Sequence, residues 1–213
     1  GPRPDVNYDE GTVLAKVGYR PGESSVDSFM AYGALPIEAN MYERNDGTLP
    51  LAIVDADGTE SPLQLDKGHR FADSTDGFQS VFWTARLQKK AATDGEITTY
   101  NIIFKKTADR DRPTGNIRQV LQSVEDVTSP VRDFLNDASP MQVYIPQANG
   151  QECTADLLDG DFEIIRYGRN MVTVKTYNIV RCLNGENNLG VTAFLSVYSG
   201  EDVVRTDLHM HYG

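Results

Sequence analysis

A mainly β fold, an antiparallel sandwich or barrel carrying one or two short helices, is what the sequence predicts, and three observations predict it. Short segments of alternating apolar and polar residues recur along the chain, as half-buried strands require. Asp-Gly, Pro-Gly and Asn-containing clusters separate them, and these residues close tight turns for backbone reasons. Only 114–137 switches to helical spacing. At 213 residues the chain is long enough to bury a core, and no Gly/Ser-rich or Pro-rich linker divides it. The expectation is one β domain over 3–213 with 114–137 as a helical insert.

TVLAKVGYR (12–20) reads as a strand stopped by Pro21-Gly22. Residues 36–65 read as a meander that turns at Asp46-Gly47 and Asp57-Gly58. In FQSVFWTARLQKK (78–90), Val81, Trp83, Ala85 and Leu87 share one face, and Phe82, Thr84, Arg86 and Gln88 share the other. After Asp94-Gly95 comes EITTYNIIFKK (96–106), with Tyr100, Ile102 and Phe104 on one face, so the two segments are predicted to form a hairpin. In 114–127, Ile117, Val120, Leu121 and Val124 follow helical spacing, with Thr114 or Asn116 available as N-cap. In 129–137, Ser129 is the candidate N-cap and Pro130 the first helical residue. Strand texture resumes at 141–147, at 162–183 with a turn at 168–170, at 190–200, and at 202–213 as a last edge strand.

TYNII (99–103) returns as TYNIV (176–180). Two copies do not make an array, and Thr, Tyr and Ile suit any pleated surface. The expectation is shared strand composition in the return arms of two hairpins, with an internal duplication as the second reading.

The net charge is −11 at a pI near 4.7, which repels phosphate backbones and anionic headgroups, so neither nucleic acid nor membrane insertion is expected. Cys153 and Cys182 can pair only if their strands are neighbours; buried free thiols are the commoner case in a chain of this size, and they are the expectation. No Asn starts a glycosylation acceptor. Gly1-Pro2 resembles the remnant of a cleaved purification tag, so an excised piece of a longer polypeptide is expected.

Candidate chemistry is sparse. His69 lies among Asp66, Asp73 and Ser74, but no G-x-S-x-G elbow accompanies them, and a polar turn is the simpler reading. His209 and His211 share a strand face near the C-terminus, where a frayed tail is the default. DADGTE (55–60), with Asp55, Asp57 and Glu60, and DLLDGD (156–161) echo calcium loops without their spacing. No catalytic residue, metal or cofactor is assigned. Trp83 is expected in the core, as are the Tyr and Ile of the two TYNI copies in packing a sheet, while Tyr8, Tyr19, Tyr32, Tyr42, Tyr144, Tyr167 and Tyr198, near predicted turns or strand ends, would suit a contact surface. The charged turns RNDG, DADGTE and DRDRPTG are the candidate ligand loops, through Arg44, Asp55, Asp57, Arg110 and Arg112.

In its Gly-Pro start, acidic charge, missing acceptor sites and meander texture, the whole chain resembles the protruding or spike domains of small RNA-virus capsids, including those of astroviruses. The resemblance implies a non-enzymatic, outward-facing domain at the virion surface that forms a homodimer, binds a host receptor protein or glycan, and is seen by antibodies. The alternative is an extracellular or cell-surface module of bacterial or phage origin binding carbohydrate or a partner protein. A β-fold hydrolase is the third reading.

Overall fold

The computed structural model describes residues 8–20, 27–38, 50–70, 78–88, 96–106, 110–146, 150, 152–182 and 189–212. It is mainly β and antiparallel, and among the described residues no sheet closes into a barrel. Where one domain is expected, the residues gather into two compact units, Gly1–Asp111 and Arg112–Gly213.

The first unit holds β1 (Val13–Tyr19), β2 (Ser28–Glu38), β3 (Leu51–Val54), β4 (Glu60–Ser61), β5 (Leu63–Arg70), β6 (Phe78–Gln88) and β7 (Thr98–Phe104). They form two sheets, ordered β1-β7-β3-β4 and β2-β6-β5. The predicted hairpin between 78–90 and 96–106 is therefore corrected: β6 pairs with β2 and β5, and β7 pairs with β1 and β3. The physical reason lies in the dry faces. Val81, Trp83, Ala85 and Leu87 of β6 bury in the same core as Tyr100 and Ile102 of β7 and Leu51 and Ile53 of β3. Two strands that each need an apolar partner face satisfy it by stacking sheet on sheet rather than edge to edge. The Tyr100 hydroxyl donates to the Gln88 carbonyl at 2.7 Å, joining the sheets at that end. Trp83 is buried, as expected, and its indole lies over Gly33, where any Cβ would come within 2.8 Å of it. Strand β2 begins eight residues before the predicted meander, and β5 runs on into Asp66 to Arg70, a stretch read as turn.

The second unit holds α1 (Ile117–Leu121), α2 (Ser129–Asn136), β8 (Gln142–Pro146), β9 (Glu152–Asp156), β10 (Phe162–Arg166), β11 (Met171–Ile179), β12 (Arg181–Cys182), β13 (Leu189–Tyr198) and β14 (Val204–Tyr212). The sheets run β10-β11-β13-β14 and β12-β9-β8. The hairpin turning at 168–170 is present as β10–β11, and β14 is the edge strand expected. The core takes Ile117, Val120 and Leu121 of α1, Val131 and Leu135 of α2, and the inward residues Val172, Val174, Val191, Ala193, Leu195 and Val197.

Helix α1 is shorter than 114–127. Asn116 caps it, its Oδ1 accepting from the Gln119 N–H at 2.9 Å while Gln119 Oε1 accepts from the Asn116 N–H. After Gln122 the chain breaks off, turning through Asp126 at φ 51° while the Glu125 N–H bonds the Arg169 carbonyl. In α2 the N-cap is Thr128, not Ser129; its backbone is extended and its hydroxyl donates to the Glu201 carbonyl instead of capping.

The free-thiol expectation is overturned. Cys153 and Cys182 stand directly opposite each other on β9 and β12 and form a disulfide. No periodicity in the sequence announces that a two-residue strand will lie beside β9.

The two TYNI copies occupy opposite environments. Tyr100 and Ile102 are 2% and 1% exposed, whereas Tyr177 and Ile179 are 59% and 55% exposed. Thr99 is exposed where Thr176 is buried. The letters match but the phase is inverted, because a strand presents alternate residues to opposite faces. With β7 not the arm of a β6–β7 hairpin, the duplication reading loses its support and shared strand composition remains.

Candidate binding surface

Of the sequence-derived ligand residues, Asp55, Asp57, Arg110 and Arg112 lie among the described residues. Arg44 lies outside the described residues, as do the Asp46-Gly47 turn, Asp73 and Ser74. Asp55 is buried and anchors a turn: its Oδ1 accepts from the N–H groups of Asp57 and Thr59, both at 2.9 Å, while the Gly58 N–H bonds the Asp55 carbonyl. Gly58 has φ 80°, which is why the turn takes glycine there. Asp57 is exposed on the same turn, and Glu60 pairs with Lys105. The carboxylate that would ligate calcium is thus held by backbone donors. The second echo is similar: Asp156 Oδ1 accepts from the N–H groups of Met141 and Leu158, at 3.1 and 3.0 Å. Arg110 and Arg112 are exposed, and the Arg112 guanidinium sits over the Tyr167 ring at 5.8 Å, a cation–π contact. Asp66 is buried and accepts from Gln64 Nε2 at 3.0 Å. Among the described residues no group of three or more His, Cys, Asp or Glu converges as metal ligands would.

The surface that stands out lies elsewhere, on the outward face of sheet β10-β11-β13-β14. On β13, Val191, Ala193, Leu195 and Val197 point into the core, so Gly190, Thr192 and Phe194 point out. Register places Tyr177 and His209 on either side of Thr192, and Ile179 and His211 on either side of Gly190. The absent side chain at Gly190 lets the Tyr177 ring lean across β13: a Cβ there would lie 2.7 Å from the Tyr177 hydroxyl. His211 Nε2 shares a hydrogen bond with Thr192 Oγ1 at 2.9 Å, and His209 stands edge-on to Phe194 with centroids 5.7 Å apart. The two histidines are therefore held on a paired strand, not on a frayed tail. Below them Arg205 and Asp207 pair at 3.2 Å, and the carboxylate raises the guanidinium pKa through its hydrogen bond and charge.

This face offers ring surfaces and polar tips fixed by the strands beneath, a combination that gives contact area at low entropic cost. From the sequence, Tyr177 reads as a packing residue and the histidines as a frayed tail. The one usable signal was period two through 190–198, which fixes which residues of β13 turn outward once the core face is known.

No protein-family profile matches the chain, and no curated protein does. Among solved structures it is similar to an α-mannosidase from Enterococcus faecalis V583, at 9% identity and a TM-score of 0.33, over 93% of this chain and 28% of that one. No helix among the described residues is long and apolar enough to cross a membrane.

Proposed function

We propose that the chain is an outward-facing attachment domain of the capsid-spike kind, whose open sheet face contacts a host glycan or receptor protein. The observation that carries the reading is the face built by Tyr177, Ile179, Phe194, His209 and His211: the inward residues of β11 and β13 are buried in the core, while Tyr177 and Ile179 on the opposite face are more than half exposed. Exposed rings on a rigid sheet suit stacking against a sugar face or an apolar receptor patch. The Cys153–Cys182 disulfide adds support, since such bonds persist in oxidising surroundings outside the cell. The charge of −11 disfavours adhesion to anionic surfaces and leaves specific contacts to decide binding.

A glycan array and binding to a panel of cultured cells test the reading. Wild-type protein is expected to bind, and Tyr177→Ala and Gly190→Ala to lose most of that binding without loss of fold, the second by displacing the tyrosine. Cell binding with a silent array assigns a protein receptor. Silence in both assays, or unchanged binding by both variants, ends the proposal.

A further inference from the structure

We propose that β14 pairs antiparallel with β14 of a second copy of this chain, about a two-fold axis through Thr206, to extend the sheet across a homodimer. The proposal deepens the spike-type reading by giving its dimer a surface, yet it stands on the strand itself and does not need the attachment face to bind anything.

The first argument is how the other sheet edges are defended. An exposed edge invites another strand, and proteins blunt such edges with bulges, proline or brevity. Among the described residues every other edge carries one of these devices. β1 and β10 contain register shifts, and so does β5. β4 and β12 are two residues long. β2 contains Pro36 and β8 ends in Pro146. β14 is nine residues long, keeps regular register with β13 from Val204 to Tyr212, and contains neither proline nor lysine.

The second argument is charge complementarity. Self-pairing preserves both sheet faces only when the axis passes through a residue, because side chains alternate. An axis through Arg205 or Asp207 opposes like charges. One through Leu208 sets Arg205 against His211 of the second copy and leaves the guanidinium unmatched. An axis through Thr206 places Arg205 opposite Asp207 in both directions, so the pair already formed within each strand becomes a four-charge cluster. The same register puts Val204 against Leu208 and Val203 against His209. Val203 and Leu208 are 57% and 43% exposed, so apolar surface is covered where the monomer leaves it open. Thr206, whose buried Oγ1 finds no hydrogen-bond partner, would stand opposite its own copy, where a χ1 rotation lets one hydroxyl donate to the other. The outward faces of both sheets stay on the same side, so two attachment faces would become one continuous surface.

Light scattering and sedimentation velocity across a concentration series test this with charge reversal. Wild type is expected to be dimeric. Arg205→Asp alone and Asp207→Arg alone each oppose like charges twice and should weaken association on the order of tenfold or more. Mixing the two variants should restore a heterodimer, and the double variant Arg205→Asp/Asp207→Arg should restore the homodimer. Both side chains are about half exposed or more, so far-UV circular dichroism should show the fold retained. Hydrogen exchange gives a readout without substitution: amides of 204–208 should exchange more slowly as concentration rises. A wild-type monomer at sub-millimolar concentration, single variants that associate like wild type, or a mixture that fails to recover each overturn the proposal. Loss of cell binding by Tyr177→Ala with dimerisation intact bears on attachment alone.

Discussion

At the residue scale, face decides consequence. Tyr100 and Tyr177 occupy the same place in the same tetrapeptide, yet one fills a core and donates to the Gln88 carbonyl, while the other stands in solvent. Tyr100→Ala should cost about 3–5 kcal/mol by opening a cavity, and Tyr177→Ala within about 0.5 kcal/mol, as read by urea unfolding. Equal losses at the two positions would contradict the inverted phase. Glycines divide the same way. Gly33→Ala drives a Cβ to 2.8 Å from the Trp83 indole, which is packed in the core, so a loss of about 1–3 kcal/mol is expected from the unfolding midpoint. At Gly190 the obstructing atom is the end of an exposed tyrosine, which can swing away, so binding should suffer before stability does.

At the scale of elements, turns and caps account for residues that looked functional. Asp55 and Asp156 each satisfy two backbone donors, the usual use of Asp in a turn. Asn116→Ala removes the α1 cap and should cost about 1 kcal/mol in thermal or urea unfolding, whereas Ser129→Ala should cost little because Thr128 holds the cap position. Asp137 accepts from the N–H and hydroxyl of Ser139, and these bonds lower its pKa below the ordinary carboxylate value. A lowered folded-state pKa means the contribution is present above the unfolded pKa and lost as pH falls through the folded one. Asp137→Asn should therefore lower stability slightly at neutral pH, flatten the acid limb of a stability-against-pH curve, and leave stability at low pH nearly unchanged. These element identities were largely legible: period two marks β1, β6, β7 and β13, Asp57-Gly58 marks its turn, and the Ile117 to Leu121 spacing marks α1. What was not legible is partnership. Succession across Asp94-Gly95 predicts a β6–β7 hairpin, but hairpin and sandwich share the same alternation.

At the scale of the whole molecule, each compact unit has its own core, and the probes separate cleanly. Trp83 is the single tryptophan and lies in the first unit, while the disulfide lies in the second. The bridge spans 29 residues of sequence. Closing a loop of that size restricts the unfolded chain by about 3–4 kcal/mol. Reduction, or Cys153→Ala/Cys182→Ala, should therefore lower the unfolding transition of Arg112–Gly213 seen by circular dichroism while the Trp83 fluorescence transition stays in place. A fluorescence transition that falls in step would mean the cores do not unfold separately. Class follows from local pattern: alternation with Gly and Asp punctuation admits little but antiparallel β, and one run of helical spacing places the helices. The same pattern puts Trp83, Val81 and Leu87 inside, because burial follows from period two once a face is apolar. Tertiary contacts alone set which strands are neighbours, which of two identical tetrapeptides faces water, that Cys153 meets Cys182, and that β14 is the outer strand of its sheet among the described residues. Those are contacts between residues far apart in the chain, set by how sheets stack and register, and local pattern carries no record of them.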